Sequence, residues 1–417
     1  MNYIPNNIKA SWLHISDLHV FPEADTTLML DDYKELAKII SPQFLVVTGD
    51  FRHKKYKTDF SLACDYLESL IGIFNIDKQD IFLVPGNHDV NSYDGREDAI
   101  SDICLHSKKN DYNFYSKYLL NRGFSEYTDF VYKFYNGSGV ADARITDSSG
   151  VHCVVWNNLI NIIFVNTALI SDGEEHGQIL DINALSQCKI DFKKPSIILG
   201  HHGIDSLYPC YAERVKGVID RRKVSAYLHG DSHQYANHPI SNISTPNSTI
   251  PSITCAKSAP QSGDSFSDIG VVYYEWRNDD NTYVQAYRWT QKGFVEDSTY
   301  YYSIDKKYYF PMIYSKENIT NESLHMYRQI KSIMENHDIF MSGKWLKEAE
   351  SIWKTSYHEG IGRCLLVFYY EKAAEGVISA YRRAQEIYHE LERISSGDSN
   401  TQKMLEATKG LLHSDEH

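Results

Sequence analysis

Five times in this sequence a short apolar run stops at a cluster of Asp, His or Asn side chains. The alternating stretch 11–16 runs into Asp17 and His19, FLVVT (44–48) into Asp50, and IFLV (81–84) into Asn87, His88 and Asp89. SIIL (196–199) runs into His201 and His202, and SAYL (225–228) into Asp231 and His233. Runs of this length, bounded by turn residues, read as buried strands. In open α/β sheets ligands gather beyond the carboxyl ends of the strands. A fold that aligns these five runs therefore brings carboxylates, imidazoles and an amide to one edge. At the end of an extended strand, Asp17 and His19 would point the same way, and so would Asp231 and His233.

Helical patterns separate the runs. Met29, Tyr33, Leu36, Ala37 and Ile40 share one face over 28–40, and Phe60, Ala63, Cys64, Leu67, Leu70 and Ile71 share one over 59–73. Strand–helix alternation predicts a layered α/β domain. Residues 91–150 are polar and Tyr-rich without a strong period, and read as an insertion over the site. Residues 241–263 read as loops, and 270–276 with 282–289 as a late β-hairpin. From about 320 the pattern is helical, with one stripe at Trp345, Ala349, Ile352 and Trp353 and another at Val377, Tyr381, Ala384, Tyr388 and Leu391; the tail from Ser395 reads as frayed. A chain of 417 residues exceeds what one core usually holds, so one main domain with an appendage is expected.

Net charge is −13, which is not the footprint of a protein that coats nucleic acid. Seven cysteines, none spaced CxxC, fit reduced thiols in a cytoplasm rather than a disulfide framework or zinc ribbon. No apolar stretch is long enough for a membrane span, and MNYIPNNIKASW has no leader pattern, so no membrane association and no export are expected.

Oxygen and imidazole donors without Cys suit divalent Mn, Fe, Zn or Mg, and a pair of such ions about 4 Å apart clamps a phosphoryl group. The order D-x-H, G-D, G-N-H-D, H-H, G-x-x-H, from about Trp12 to His233, resembles the calcineurin-like metallophosphoesterase superfamily, including its bacterial phosphodiesterase and nuclease domains. The resemblance implies a four-layer α/β/β/α sandwich with a two-metal centre over residues 1–315, with 91–150 as a cap over the site and 316–417 as a C-terminal α-helical appendage. It places Asp17, His19, Asp50 and His233 on the first metal, and Asp50 as a bridge with Asn87, His201 and Asp231 on the second. His88 would protonate the leaving oxygen or stabilise the phosphoryl charge, and Asp89 would orient His88.

Two positions depart from the family pattern. The last motif is usually Gly-His-x-His, whereas here it reads Gly-Asp-Ser-His; Asp231 substitutes an anionic oxygen for a neutral nitrogen, which predicts a harder site with Mn first among the metals. The family's GDxxD reads Gly-Asp-Phe-Arg-His, opening the basic run RHKKYK (52–57). Arg52 and His53 could then grip phosphate, although a solvated helix start explains the run as well. His202 and His229 are candidates for substrate contact or for orienting the ligands, and His14, inside the first strand, reads as a packed core histidine.

The function expected is two-metal hydrolysis of a phosphodiester of nucleotide type by a metal-bridging hydroxide. The substrate would be a cyclic nucleotide, a dinucleotide or a short nucleic-acid end. Three alternatives share the motifs: a phosphomonoesterase on nucleotides or phosphoproteins, a nuclease subunit of a DNA-repair or defence complex, and a non-catalytic interaction module. The C-terminal helices offer a surface for a homodimer or a protein partner.

Overall fold

The computed structural model describes residues 7–21, 26–53, 60–91, 95–106, 119–136, 150–171, 177–237, 240–241, 249–259, 269–297, 308–314, 343–356, 359–374, 377–394 and 399–412. Most of the basic run after His53, the Lys108–Lys109 pair and the stretch 315–342 lie outside these residues. In chain order the first elements are β1 (Ile8–Ile15), α1 (Thr26–Leu36), β2 (Phe44–Thr48), α2 (Ser61–Phe74), β3 (Ile81–Val84), α3 (Arg96–His106) and α4 (Ser125–Phe134). There follow β4 (Val151–Trp156), β5 (Ile160–Val165), α5 (Ile182–Gln187), β6 (Ser196–Leu199), α6 (Pro209–Arg221) and β7 (Val224–His229). Short strands β8 (Ala236–Asn237), β9 (Ile240–Ser241), β10 (Thr249–Ile250) and β11 (Ser252–Thr254) precede β12 (Gly270–Arg277), β13 (Asn281–Thr290), β14 (Gly293–Asp297) and β15 (Tyr308–Pro311). Four helices close the chain: α7 (Gly343–Ser356), α8 (Glu359–Ala374), α9 (Ile378–Ile394) and α10 (Ser399–Leu412).

Two sheets carry the first unit. One has the order β14-β13-β12-β1-β2-β3, with β15 on β13; the other runs β4-β5-β6-β7-β11-β8. β1, β2 and β3 are mutually parallel, as are β5, β6, β7 and β11. Their inner faces follow the period of two that strands impose. Trp12, Phe44, Val46, Phe82 and Val84 from one sheet share a buried core with Ile162, Phe164, Ile197, Leu199 and Leu228 from the other. Trp12 stacks between Phe44 and Tyr274, at centroid distances of 5.3 and 4.9 Å. Fully burying an aromatic side chain of this kind stabilises by roughly 1.5–3 kcal/mol. The outer face of the first sheet is covered by α1 and α2, whose Tyr33 and Tyr66 hydroxyls both donate to the Ser258 carbonyl, at 3.2 and 3.0 Å. The layering is the expected α/β sandwich.

Several local expectations are corrected. Residues 91–150 contain an amphipathic helix: α4 buries Tyr127, Phe130, Val131 and Phe134, and Phe130 stacks on Phe60 at 4.8 Å. The 241–263 stretch is not all loop, because β11 completes the second sheet beside β7. The tail after Ser395 forms α10, which buries Thr401, Leu405 and Thr408. Val377, expected on a buried stripe, is exposed.

The chain divides into two compact units, one of Met1–Ile190 with Lys194–Tyr314, the other of Asp191–Lys193 with Ser315–His417. The second unit has its own core, in which Trp353, Leu365, Ala384, Tyr388, Leu391 and Leu405 pack together. The helices thus bury their apolar stripes against one another, as helices too short to persist alone must.

His14 is a core histidine, as expected. It is fully buried, with Nε2 2.8 Å from Thr48 Oγ1 and Nδ1 3.4 Å from the Tyr274 hydroxyl. Burial, then the nearby His229, pushes its pKa from 6.5 down to about 3. Between those values only the unfolded chain binds the proton, so the group is neutral in its effect above 6.5 and destabilises progressively as pH falls below it. His14→Gln, which keeps a donor for Thr48, is expected to reduce the stability lost between pH 7 and 5 by about 2 kcal/mol. Denaturant titrations at both pH values read this directly; an unchanged difference would refute it.

Candidate metal centre

Each predicted cluster does follow a strand. β1, β2 and β3 deliver Asp17 and His19, Asp50, and Asn87 with His88; β6 and β7, in the facing sheet, deliver His201 with His202, and Asp231 with His233. The candidate ligands therefore come from two sheets, not from one sheet edge. Nor is the chain extended where it presents them. Asp17 (φ 52°), His19 (φ 44°), Asp50 (φ 56°), Asp231 (φ 70°) and His233 (φ 56°) are all left-handed. Asp and His tolerate this region better than most residues, yet each such residue costs on the order of 1–3 kcal/mol. The turns are held by backbone bonds from Asp17 N to Gly49 O at 3.1 Å and from His19 N to Asp50 O at 2.8 Å.

The glycines beside the ligands have a steric reason. A Cβ on Gly230 would lie 1.8 Å from Ser16 Oγ and 2.4 Å from Asp17 Oδ2. Gly49 has φ +92°, and its Cβ would meet His201 Nδ1 at 2.6 Å. The loops pass too close for any side chain.

Asp50 sits at the centre. Its Oδ2 lies 3.5 Å from His19 Nε2 on one side and 3.4 Å from His201 Nε2 on the other. Around the first position, His233 Nε2 is 3.2 Å from both His19 Nε2 and Asp17 Oδ1. Around the second, His201 Nε2 lies 2.7 Å from Asn87 Oδ1 and 3.8 Å from Asp231 Oδ1. Asp17, His19, Asp50 and His233 form one group of donors close enough to share an ion; His201, His202 and Asp231 form another. His201 donates from Nδ1 to the Thr48 carbonyl at 2.6 Å, which turns its Nε2 lone pair to the site.

The electrostatics are those of a cluster that could hold a cation. Burial alone would raise the pKa of Asp50, but His201, His19 and His88 more than offset it and hold the carboxyl far below the usual range. Burial would lower His201, and Asp50 outweighs this, raising it well above 6.5. Burial, opposed by Asp50 and Asp17, lowers His19 to about 4. Buried Asp17 Oδ1 accepts no well-aligned hydrogen bond. The Asn87 amide oxygen faces only acceptors, an orientation that a shared cation stabilises and that an O/N swap would otherwise relieve. Carboxylate oxygens and imidazole nitrogens converging on shared points fit divalent ions, which would displace the protons held between them.

Other expected site residues land differently. Asp89 is fully buried, and its carboxylate accepts from the backbone N–H groups of Gly86 and Asp50 (2.8 and 2.9 Å) and of Phe51 and Arg52 (2.9 and 3.4 Å). It ties the Asp50 loop to the His88 loop rather than orienting the His88 ring. Arg52 is buried and committed to protein: it pairs with Glu126 of α4, donates to Asn91 Oδ1 at 3.1 Å and covers the Phe60 ring at 4.6 Å. His53 stands at the rim, its ring 5.5 Å from His88 and 5.6 Å from His19. His88 Nε2 is 4.0 Å from Asp50 Oδ2, and its side chain is 27% exposed. His202 is buried beside Thr167, and burial, then His201, lowers its pKa to about 3. Sequence reasoning missed Thr167, which follows β5 in a stretch (FVNTA) with no ligand-like cluster.

The site and fold define a class, the metal-dependent phosphoesterases. The family model described as calcineurin-like phosphoesterase matches residues 11–235, and the chain belongs to that family. A Bacillus subtilis (strain 168) protein described as an uncharacterized metallophosphoesterase-like protein, YydB, is 28% identical over 248 residues, which is 54% of this chain and 49% of that protein. The chain thus matches about half the length of this curated relative. Among solved structures, purple acid phosphatase PPD1 from yellow lupin aligns over 69% of this chain and 52% of its own, with 12% identity and a TM-score of 0.43. GAP50, described as the anchor in the inner membrane complex of Plasmodium, aligns over 74% and 90%, with 12% identity and a TM-score of 0.41. Among the described residues no helix is long and apolar enough to cross a membrane.

Proposed function

We propose that the chain hydrolyses a phosphodiester of nucleotide type: a cyclic nucleotide, a dinucleotide or a short nucleic-acid end. The observation that carries the chemistry is the Asp50 carboxylate, shared at 3.5 and 3.4 Å by imidazoles of two separate donor groups. Asp17, His19, Asp50 and His233 would hold one divalent ion; Asp50, Asn87, His201 and Asp231 would hold the other. When bound, the two ions supply Lewis-acid polarisation of the phosphoryl group and a nucleophile at neutral pH. His88, half-open to the site, gives its proton to the departing oxygen. Asp89 keeps the His88 turn and the Asp50 loop in register through their amides. His53, at the same rim, is placed to touch the ester.

Charge favours a diester over a monoester. Asp17, Asp50 and Asp231 set three carboxylates against two divalent ions, and the hydroxide nucleophile would bring the sum to about zero, which suits a diester monoanion better than a monoester dianion. Among the described residues, Arg52, a cation beside the site, is engaged with Glu126. The same anionic oxygen of Asp231 favours Mn²⁺ or Mg²⁺ over softer ions. A cytoplasmic location is consistent with the absence of any disulfide among the described cysteines.

Metal-stripped protein should be assayed on bis(p-nitrophenyl) phosphate and p-nitrophenyl phosphate with Mn²⁺, Mg²⁺, Zn²⁺ or no metal. Turnover is expected only with metal, highest with Mn²⁺, and greater on the diester. Preference for the monoester would make this a phosphomonoesterase. No turnover by folded, metal-loaded protein on either ester would remove the enzymatic reading.

A further inference from the structure

His202 stands beside the second donor group, and the question is whether its ring nitrogen is a metal ligand. Its Nε2 lies 3.9 Å from Asp231 Oδ1, nearly the distance from His201 Nε2 to the same oxygen, 3.8 Å. By distance alone both imidazoles could share an ion with Asp231. The hydrogen bonds behind the ring separate them.

Thr167 Oγ1 accepts from two backbone amides, His201 N at 3.2 Å and His202 N at 3.0 Å. A hydroxyl has two acceptor lone pairs and one proton. With both lone pairs taken, the hydroxyl can only donate to its third neighbour, His202 Nδ1, at 3.0 Å. His202 Nδ1 must then be the unprotonated nitrogen, and the ring proton sits on Nε2, facing Asp231. The opposite tautomer would press an Nδ1–H against an oxygen with no lone pair left. His201 is the reverse case: its Nδ1 faces the Thr48 carbonyl, which can only accept, so Nδ1 carries a proton and Nε2 is the nitrogen that a metal could take.

We infer that His202 is a positioning residue and not a metal ligand. Thr167 locks it as the Nε2–H tautomer, and that N–H holds the Asp231 carboxylate so that one oxygen remains for the second metal. This rests on the two-metal reading of the site. It also accounts for how the chain uses an aspartate at 231, since a carboxylate has a second lone-pair-bearing face for the His202 proton. At 3.9 Å the two groups are not hydrogen-bonded in this structure, and the assignment calls for a rotation of the Asp231 side chain, which is 35% exposed. His202 is buried and well placed to act only through this neighbour.

Two measurements test the assignment, neither of them turnover. The first is the two-bond ¹⁵N–¹H spectrum of histidine-labelled protein loaded with diamagnetic Zn²⁺, with His202→Gln identifying the signal. The proton is expected on Nε2. Wild-type protein that binds two metals while His202 carries its proton on Nδ1 would overturn the assignment and leave the two-metal reading intact. The second is Mn²⁺ binding by calorimetry. His202→Phe, which has no donor for Asp231, and Thr167→Val are expected to weaken the second Mn²⁺ roughly 10–100-fold while still reaching two ions at saturation. Thr167→Ser, which restores the hydroxyl, should bind within about twofold of wild type. Loss of a whole metal equivalent in His202→Phe would make His202 a ligand. Unchanged affinity in both weakened variants would deny it any role at Asp231.

Discussion

Asp50→Ala should abolish metal-dependent hydrolysis, a fall of about a thousandfold or more, because it removes a donor from both metal positions at once. No other carboxylate in the described site lies within 3.5 Å of imidazoles from both donor groups. Its other oxygen also accepts the His88 backbone N–H at 2.8 Å, so the substitution loosens the turn that presents Asn87 and His88. The fold itself should survive. Asp50 is no part of the apolar core between the sheets. Mn²⁺ at a hundred times its Kd should stabilise the wild type by about 3 kcal/mol for each ion bound. That increment should vanish in Asp50→Ala. Elemental analysis and thermal melts with and without Mn²⁺ read both effects. Two metals per chain in the variant, or turnover near wild type, would show that the bridge lies elsewhere.

The donor set was legible because it is written in residue types with few other uses at a strand end. Asp, Asn and His after FLVVT, IFLV and SIIL are chemically informative, and those three runs are the observed strands to the residue. What the sequence concealed was backbone shape and indirect contact. Nothing in Ser-Asp-Leu-His distinguishes an extended pair from two left-handed turns, since Asp and His accept both. Asp89 looked like a partner for the adjacent His88 ring, and only the fold brings the amides of residues 50–52 around to its carboxylate. Thr167 carries no signature at all; its meaning comes from two amides 34 and 35 residues away. The missed helices have a different cause. α4 and α10 hide their stripes in polar surroundings, α10 using Thr401 and Thr408 at positions where a pattern search wants Leu. β11 is three residues long, too short for any periodicity to register.

His88→Asn should lower kcat by about 10²–10⁴ on esters with an alkoxide leaving group, and much less on p-nitrophenyl esters. His88 Nε2 is 4.0 Å from the shared Asp50 oxygen, its ring meets His19 edge-on at 4.4 Å, and its side chain is partly open where the ligands His19 and His201 are buried. It is therefore close to the metals' place without belonging to either donor group, and solvent or an ester can reach it. An alkoxide needs a proton as the P–O bond breaks, whereas p-nitrophenolate leaves without one, so a general acid matters for the first and hardly for the second. Asparagine keeps the hydrogen-bonding size of the side chain but cannot transfer a proton. Metal content should stay at two ions per chain, because the donors are untouched. The check is the ratio of wild-type to variant kcat on a dinucleotide against the same ratio on bis(p-nitrophenyl) phosphate. A much larger ratio on the dinucleotide assigns proton transfer to His88. Equal, large ratios would mean that His88 stabilises the phosphoryl charge in both reactions, and equal ratios near one would remove it from the mechanism.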